Sequence, residues 1–278
     1  MEYINKIYNE NCLDTMARII EPVVDLVVTS PPYDDLRDYK GYIFDFQPIT
    51  KELYRIVKPG GVVVWIVGDS TINGSETGTS FKQAIFFKEI GFNLHDTMIY
   101  EKNTSAFPAK RNDIRYTQIF EYMFIFSKGQ PKTVHLLNDK QNRFRGTYSW
   151  GKSNKRQIDG TFKESNLTNI AVKNFGIRNN IWRYVCSGGF GQSDSDAYDH
   201  PATFPEELAA DHIKSWSNEN DLVFDPMSGS GTTLIMARQF KRNYLGCEIS
   251  EEYFKLIKKR LNTLEKIEET WENFVSFS

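Results

Sequence analysis

The run Asp225-Pro226-Met227-Ser228-Gly229-Ser230-Gly231-Thr232-Thr233 places an acid and a cluster of small residues between a short apolar stretch, Leu222-Val223-Phe224, and a helical pattern. Glycines in such a turn let the backbone pass close to a ligand. The first turn of the following helix offers N–H groups without intrahelical partners. Nucleotide-like ligands bind at such strand ends in open α/β sheets. Two phosphate-binding signatures do not fit. A P-loop needs a lysine before its Ser/Thr, and here Thr232 directly follows Gly231. A dinucleotide fingerprint needs a third small residue, and Leu234 stands in that place. Glu248, in Gly246-Cys247-Glu248 after the next apolar run, adds a carboxylate able to accept hydrogen bonds from ribose hydroxyls. Taken singly, the turn is equally a structural turn and Glu248 equally a charge near a helix N-terminus. Together they point to a nucleoside cofactor.

A second constellation lies early in the chain, in Thr29-Ser30-Pro31-Pro32-Tyr33. Adjacent prolines remove two N–H donors and stiffen the backbone, leaving carbonyls free to face a cleft. A hydroxyl and an aromatic ring flank them. The exocyclic amino group of a nucleobase needs such acceptors, and a base turned out of its stack needs such a ring.

These residues need strands that end beside one another. Residues 25–29 and 62–67 are compact β-branched runs and read as buried strands. Residues 4–9, 97–101, 120–126, 222–224 and 244–247 read as further strands. Helical spacing predicts helices over 46–57, 80–89, 205–216, 232–240 and 251–264, with Lys58-Pro59-Gly60-Gly61 stopping the first and Gly91 closing the second. Strands alternating with helices predict an α/β fold with a doubly wound, mostly parallel sheet. Between 130 and 187 the periodicity fades into Asn, Gly, Ser and Lys. The expected organisation is therefore a core of residues 1–129 and 196–278 with an irregular insertion at 130–195.

Charge is divided along the chain. The 278 residues carry a formal net charge of −2, yet residues 102–186 hold 16 Lys/Arg against 5 Asp/Glu, a net of +11 that leaves −13 for the rest. A basic block of this kind is either a solvated face or a polyanion-binding surface. Composition is ordinary for a folded domain, with 40% hydrophobic and 25% charged residues. It excludes collagen-like and wholly disordered chains, and no apolar run reaches the roughly 18 residues of a membrane span. The N-terminus, MEYINKIYNE, has no apolar core of a secretory signal. Cys12, Cys186 and Cys247 are scattered without metal-ligand or disulfide spacing. The expected setting is a reducing cytoplasm, with no membrane partner and no metal.

Ser-Pro-Pro-Tyr after a strand, followed much later by Asp-Pro-Met-Ser-Gly-Ser-Gly-Thr-Thr, resembles the amino-methyltransferases of DNA. These use S-adenosyl-L-methionine to modify cytosine N4 or adenine N6. The order of motifs, catalytic before cofactor with a basic segment between them, resembles the permuted β class, whose insertion is the target recognition region. The likeness extends over nearly the whole chain. It implies the S-adenosylmethionine-dependent methyltransferase fold, with double-stranded DNA as partner. It also admits a homodimer and a cognate restriction endonuclease.

By the same resemblance, Ser30 and the Pro31 carbonyl would accept hydrogen bonds from the target amino group. Pro32 would stiffen the motif, and Tyr33 would stack on the extruded base. The backbone from Asp225 through Pro226, Ser228, Gly229, Ser230, Gly231 and Thr232 would cradle the cofactor, with Glu248 on its ribose. The stretch containing Asn11 and Cys12 resembles the adenine contact, although many members carry Asp where this chain has Asn11. Thr203 and Phe204, in His200-Pro201-Ala202-Thr203-Phe204-Pro205, resemble the segment lining the methionine end, where other members carry Thr-Gln-Lys-Pro. The lysine of that pattern is missing here, and Met227 replaces a frequent Phe. Residues 34–41 form a charged loop that either closes over the base or is simply solvated. Clustering marks Arg143, Arg145, Lys152, Lys155 and Arg156 as DNA contacts.

A leading Ser resembles the N4-cytosine group, whereas Asp or Asn accompanies N6-adenine. The expected reaction is thus methyl transfer to cytosine N4, with adenine N6 as the alternative. A cytosine C5 enzyme needs a cysteine nucleophile, and no Pro-Cys dipeptide occurs. A non-catalytic nucleic-acid-binding protein of the same fold would show damage to one of the two motifs, and both are intact. An RNA target has no recognisable RNA-binding module to support it.

Overall fold

A computed structural model describes residues 3–32, 44–103, 114–149, 152–166, 170–185 and 205–276. The chain divides into two units, Met1–His135 with Asn180–Ser278, and Leu136–Asn179.

The first unit is built on an eight-stranded sheet. In chain order its elements begin β1 (Lys6–Tyr8), α1 (Cys12–Arg18), β2 (Val24–Thr29), α2 (Phe46–Ile56) and β3 (Val57–Val67). A small hairpin of β4 (Thr71–Ile72) and β5 (Ser75–Glu76) leads to α3 (Thr79–Glu89), β6 (Asn93–Lys102) and β7 (Phe120–Ser127). Beyond the second unit come β14 (Ile181–Tyr184), α4 (Glu206–Trp216), β15 (Leu222–Asp225), α5 (Thr232–Gln239), β16 (Asn243–Cys247) and α6 (Glu251–Ser276). The sheet order is β1-β16-β15-β2-β3-β7-β6-β14. Only β7 runs against its neighbours, pairing antiparallel with β3 and β6.

The central strands are buried on both faces, as a parallel sheet between helical layers requires. Val63, Trp65 and Val67 of β3 pack with Met16 of α1, Leu53 of α2 and Phe87 of α3. Strand periodicity turns Val62, Val64 and Ile66 to the opposite face, and all three are buried. The sheet is thus wound on both sides. Phe87 stacks on Phe126 with ring centroids 4.2 Å apart, and the buried indole of Trp65 donates to Gln83 Oε1 at 2.6 Å. Among the described residues no helix is long and apolar enough to cross a membrane.

Two details depart from the sequence reading. Lys58-Pro59-Gly60-Gly61 is not a helix stop; α2 ends at Ile56 and these residues already belong to β3. Val24 pairs with Val57 but Leu26 pairs with Val62, so β3 carries extra residues in a bulge there. Gly60 adopts φ +82°, and a Cβ on it would lie 2.8 Å from Lys132 Cβ. The bulge therefore needs the glycine that looked like a stop signal. The second departure is the length of α6, which continues well past residue 264. Nothing breaks the helix there, and Glu265 and Glu268 on it pair with Arg238 of α5.

The second unit is a single folded-back arm. Its limbs pair antiparallel at three stations: β8 (Lys140–Gln141) with β13 (Phe175–Gly176), β9 (Tyr148–Ser149) with β12 (Ile170–Ala171), and β10 (Lys152–Arg156) with β11 (Phe162–Asn166). The pairs are nested, so the arm is one long interrupted hairpin. Its boundaries fall inside the insertion expected at 130–195, because β14 returns to the main sheet beside β6. Arg178 pairs with Asp139 near the base of the arm.

Candidate active site

The two motifs meet because their strands are neighbours. β15 pairs with β2 in parallel, Phe224 opposite Val27, so Asp225 and Thr29 leave the sheet at the same edge. Asp225 is buried at 2% exposure. Its Oδ1 accepts from the Thr29 hydroxyl at 2.8 Å and from the Met227 N–H at 3.1 Å. Thr233, the second residue of α5, donates its hydroxyl to the Val28 carbonyl at 3.1 Å. The residue directly before Ser30 is therefore bonded to the first residue of the glycine turn. Ser30 and Pro32 are half-buried and Pro31 is buried.

The turn itself is tightly specified. Ser228 donates its hydroxyl to the Asp225 carbonyl at 3.0 Å and its N–H to the Cys247 carbonyl at 2.9 Å. Pro226 is buried behind it. Ser230 Oγ and Thr232 Oγ1 lie 3.1 Å apart. Gly231 caps α5 with φ +80°, and a Cβ there would come within 2.9 Å of Ile257 Cγ2. Any other residue there would be strained at this φ and would have to push the Ile257 side chain aside.

Glu248 follows β16 and closes the turn from the other side. One carboxylate oxygen accepts from Gly229 N–H at 2.8 Å, the other from Ser250 N–H at 2.8 Å. A carboxylate has about four lone-pair positions, so acceptor capacity remains for hydroxyl groups. Its backbone is fixed by Asn9, whose Nδ2 donates to the Glu248 carbonyl at 2.8 Å, and by its own N–H bond to Tyr8 O at 3.0 Å. Asn11 caps α1, accepting from Leu13 N–H at 3.0 Å, and Cys12 is buried beneath it.

Burial dominates the electrostatics. It pushes the Asp225 carboxyl up to about 7, against the hydrogen bonds from Thr29 and Met227 that favour its charged form. It raises Glu248 as well, opposed by the N–H groups of Ser250 and Gly229. The Cys12 thiol is pushed up to about 12 and that of Cys247 is also raised, so neither supplies a nucleophile.

Of the residues named from sequence, Ser30, Pro31, Pro32, Asn11, Cys12, the 225–232 turn and Glu248 gather at one edge of the sheet. Tyr33, Thr203, Phe204 and the 34–41 loop lie outside the described residues. Arg143, Arg145, Lys155 and Arg156 are exposed on the arm, and Lys152 lies in β10. Sequence reasoning missed Arg260. It is 2% exposed, donates to the Ser230 carbonyl at 2.6 Å, and pairs with Glu206 at 3.0 Å. Its signal was present: a charge between Ile257 and Leu261 on the apolar stripe of α6. Asn9 and the Thr29–Asp225 bond carried no such signal.

A cavity of about 910 Å³ lies elsewhere, lined by Asn5, Lys6, Asn243 and Tyr244 at the strands' N-terminal ends. Ligands of open α/β sheets bind outside the carboxyl ends of the strands. The site described above is at that edge and this cavity is not.

The family described as DNA methylase, comprising N6 and N4 methyltransferases, matches residues 24–259. The orphan methyltransferase M.BamHII of Bacillus amyloliquefaciens is 56% identical over 238 residues, covering 86% of this chain and 88% of that protein. The type II methyltransferase M.BglII of Bacillus subtilis is 27% identical over 260 residues, 91% of this chain and 67% of that one. Among solved structures, the cytosine-N4-specific PvuII DNA methyltransferase matches with a TM-score of 0.67 at 20% identity, over 92% of this chain and 85% of that one. M1.HpyAVI, solved as a complex with SAM, gives a TM-score of 0.59 at 22% identity, over 92% and 98%. Both likenesses concern the fold. The chain belongs to the DNA methylase family and is a DNA methyltransferase of the N4/N6 type.

Proposed function

We propose that the chain transfers a methyl group from S-adenosyl-L-methionine to the exocyclic N4 of cytosine in double-stranded DNA. The observation that carries this reading is the bond between Thr29 and Asp225, which joins the strand ending in Ser-Pro-Pro to the glycine turn. The residues present fit the cofactor. The turn keeps side chains out of the ligand's path, α5 points its N-terminus there, and Glu248 has acceptor capacity for ribose hydroxyls. When bound, the cofactor supplies a sulfonium methyl group. Its methionine end falls to the segment of Thr203 and Phe204.

Ser30 and the Pro31 carbonyl accept hydrogen bonds from the target amino group. They orient its nitrogen lone pair and stabilise the positive charge that develops as the N–C bond forms and the S–C bond breaks, with a neutral thioether leaving and the surplus amino proton passing to water. Such prearranged acceptors, together with fixed proximity, are the main sources of acceleration in a transfer of this kind. Tyr33 stacks on the base. Cytosine is favoured by Ser30 at the head of the motif, and the fold's cytosine-N4-specific example in PvuII methyltransferase is consistent with it. The basic arm, Leu136–Asn179, is the recognition region in this reading.

The test is mass analysis of nucleosides from DNA treated with the pure protein and cofactor. N4-methylcytosine is the expected product; N6-methyladenine would overturn the base assignment and leave the enzyme class intact. Ser30→Ala should bind cofactor normally and lose about 10²–10³ in transfer rate. Wild-type turnover by that variant would remove Ser30 from the chemistry.

A further inference from the structure

The tip of the arm separates two kinds of chemistry on its two faces. β10 and β11 pair in the register Asn154–Glu164, Lys155–Lys163 and Arg156–Phe162. Successive residues of a strand point to opposite faces. One face therefore presents Asn154, Arg156, Phe162 and Glu164, and the other presents Lys155 directly across from Lys163. All six are exposed. The turn beyond them is closed by hydrogen bonds: Gln157 N–H donates to Thr161 O at 2.7 Å, and Asp159 Oδ1 accepts from Thr161 N–H at 2.9 Å and its hydroxyl at 2.7 Å. The register is thereby pinned, and the faces cannot exchange by slippage.

Like charges directly opposed across a ribbon destabilise it. Among the described residues of the arm no ion pair offsets Lys155 against Lys163, but a phosphate backbone resting on that face would neutralise both. The other face carries the side chains that read base edges. Asn pairs with adenine, Arg with guanine, a carboxylate with the cytosine amino group, and an aromatic ring meets the thymine methyl. A two-stranded ribbon is one of the shapes that the major groove of DNA admits.

We propose that β10–β11 enters the major groove of the substrate, with Asn154, Arg156, Phe162 and Glu164 selecting the methylated sequence and Lys155 and Lys163 gripping phosphates. This rests on the reading above that duplex DNA is the substrate. It divides the basic cluster, since Lys155 and Arg156 are neighbours in sequence with different work.

The test uses the full chain and a short duplex carrying the sequence that the wild-type protein methylates in plasmid DNA, read by modified-base sequencing. Each phosphate contact contributes about −0.9 to the slope of log K against log salt. Lys155→Ala with Lys163→Ala should flatten that slope by about 1.8 and leave the methylated sequence unchanged. Lys155→Glu is the sharper variant. It sets opposite charges across the ribbon, so a purely structural role predicts unchanged or better DNA affinity, whereas phosphate contact predicts weaker binding. Arg156→Ala or Asn154→Ala should reduce discrimination about ten- to a hundredfold at one base position. Cofactor affinity by calorimetry should stay at the wild-type value throughout. Unchanged slope and unchanged site preference, in a wild-type protein that does methylate a defined sequence, would overturn the ribbon assignment alone. So would variants that change the sedimentation of the DNA-free protein and not its DNA affinity, which would make a second copy the occupant. A wild-type protein that methylates no duplex would overturn the functional reading and this assignment with it.

Discussion

Replacing Asp225 with Asn exchanges a buried acid for a neutral group of the same shape. The native carboxyl is raised from its ordinary 3.8 to about 7 by burial. In the unfolded chain it ionises near pH 4, while in the folded protein it holds its proton to near neutrality. Below pH 4 both states are protonated and the group costs nothing. As pH rises from 4 to 7 the unfolded state releases its proton first, so stability falls, and the penalty is complete above pH 7. The rise from 3.8 to about 7 amounts to ~4 kcal/mol in all, more than half of which develops between pH 5 and pH 8. The Asp225→Asn variant lacks this titration. Its side-chain carbonyl can still accept from the Thr29 hydroxyl and the Met227 N–H, so the joint between β2 and the turn persists. Urea unfolding of both proteins at pH 5 and pH 8 isolates the effect, because the titrating groups not coupled to Asp225 cancel in the comparison. The wild type should lose roughly 2–3 kcal/mol more than the variant over that interval. Methyl transfer by the variant should stay within severalfold of wild type. Parallel pH profiles for the two proteins would refute the burial argument. Equal stability with abolished transfer would show that the carboxylate touches the reacting groups and is more than a joint.

The remaining expectations concern the same edge of the sheet. Gly231→Ala should weaken cofactor binding in calorimetry and lower stability by about 1–3 kcal/mol, because the position needs φ +80° and its space is taken by Ile257. Arg260→Met should destabilise by about 3–5 kcal/mol in urea unfolding, since it breaks the buried ion pair with Glu206 and the bond to the Ser230 carbonyl. An unchanged midpoint would show that the buried pair contributes no net stability. Gly229→Asp sets a second carboxylate against Glu248 and should abolish measurable cofactor binding; retained affinity would remove the turn from the site. Cys12 should resist iodoacetamide at pH 8 in the folded protein and react in urea. A thiol at about 12 is roughly a thousandfold less ionised there than a free one.

The strands of the core were legible because their chemistry is local. Val62 to Val67 and Leu222 to Phe224 are apolar runs too short for helices, and the structure places both in the sheet. The bulge in β3 was not legible, since Lys-Pro-Gly-Gly is also what ends a helix and only the register against β2 separates the two. The arm was unreadable for a different reason. Two of its three stations pair over two residues each, and no sheet or helix imposes an alternation of apolar and polar side chains on them. In the candidate site, the pattern of the glycine turn was written in neighbouring residues. The bond that orients it joins positions 196 apart, and nothing at Thr29 announces which acid it will meet.

That long-range bond explains how two distant motifs can cooperate at atomic distances. Methyl transfer demands that nitrogen and methyl carbon approach within about 3–3.5 Å in line. Loops alone hold no such tolerance over 278 residues. Here the spacing is set first by backbone pairing, since adjacent strands lie about 4.8 Å apart and β2 is adjacent to β15. The remaining freedom is rotation of each strand end as it leaves the sheet. The Thr29–Asp225 and Thr233–Val28 bonds remove it, one from each side of the joint, and burial excludes the water that would compete for them. The Ser30-Pro31 end of β2 and the glycine turn, which we propose hold the target amino group and the cofactor, are thereby positioned by the sheet itself, and the arm, which we propose reads the DNA, can differ in sequence without disturbing the distance on which the chemistry depends.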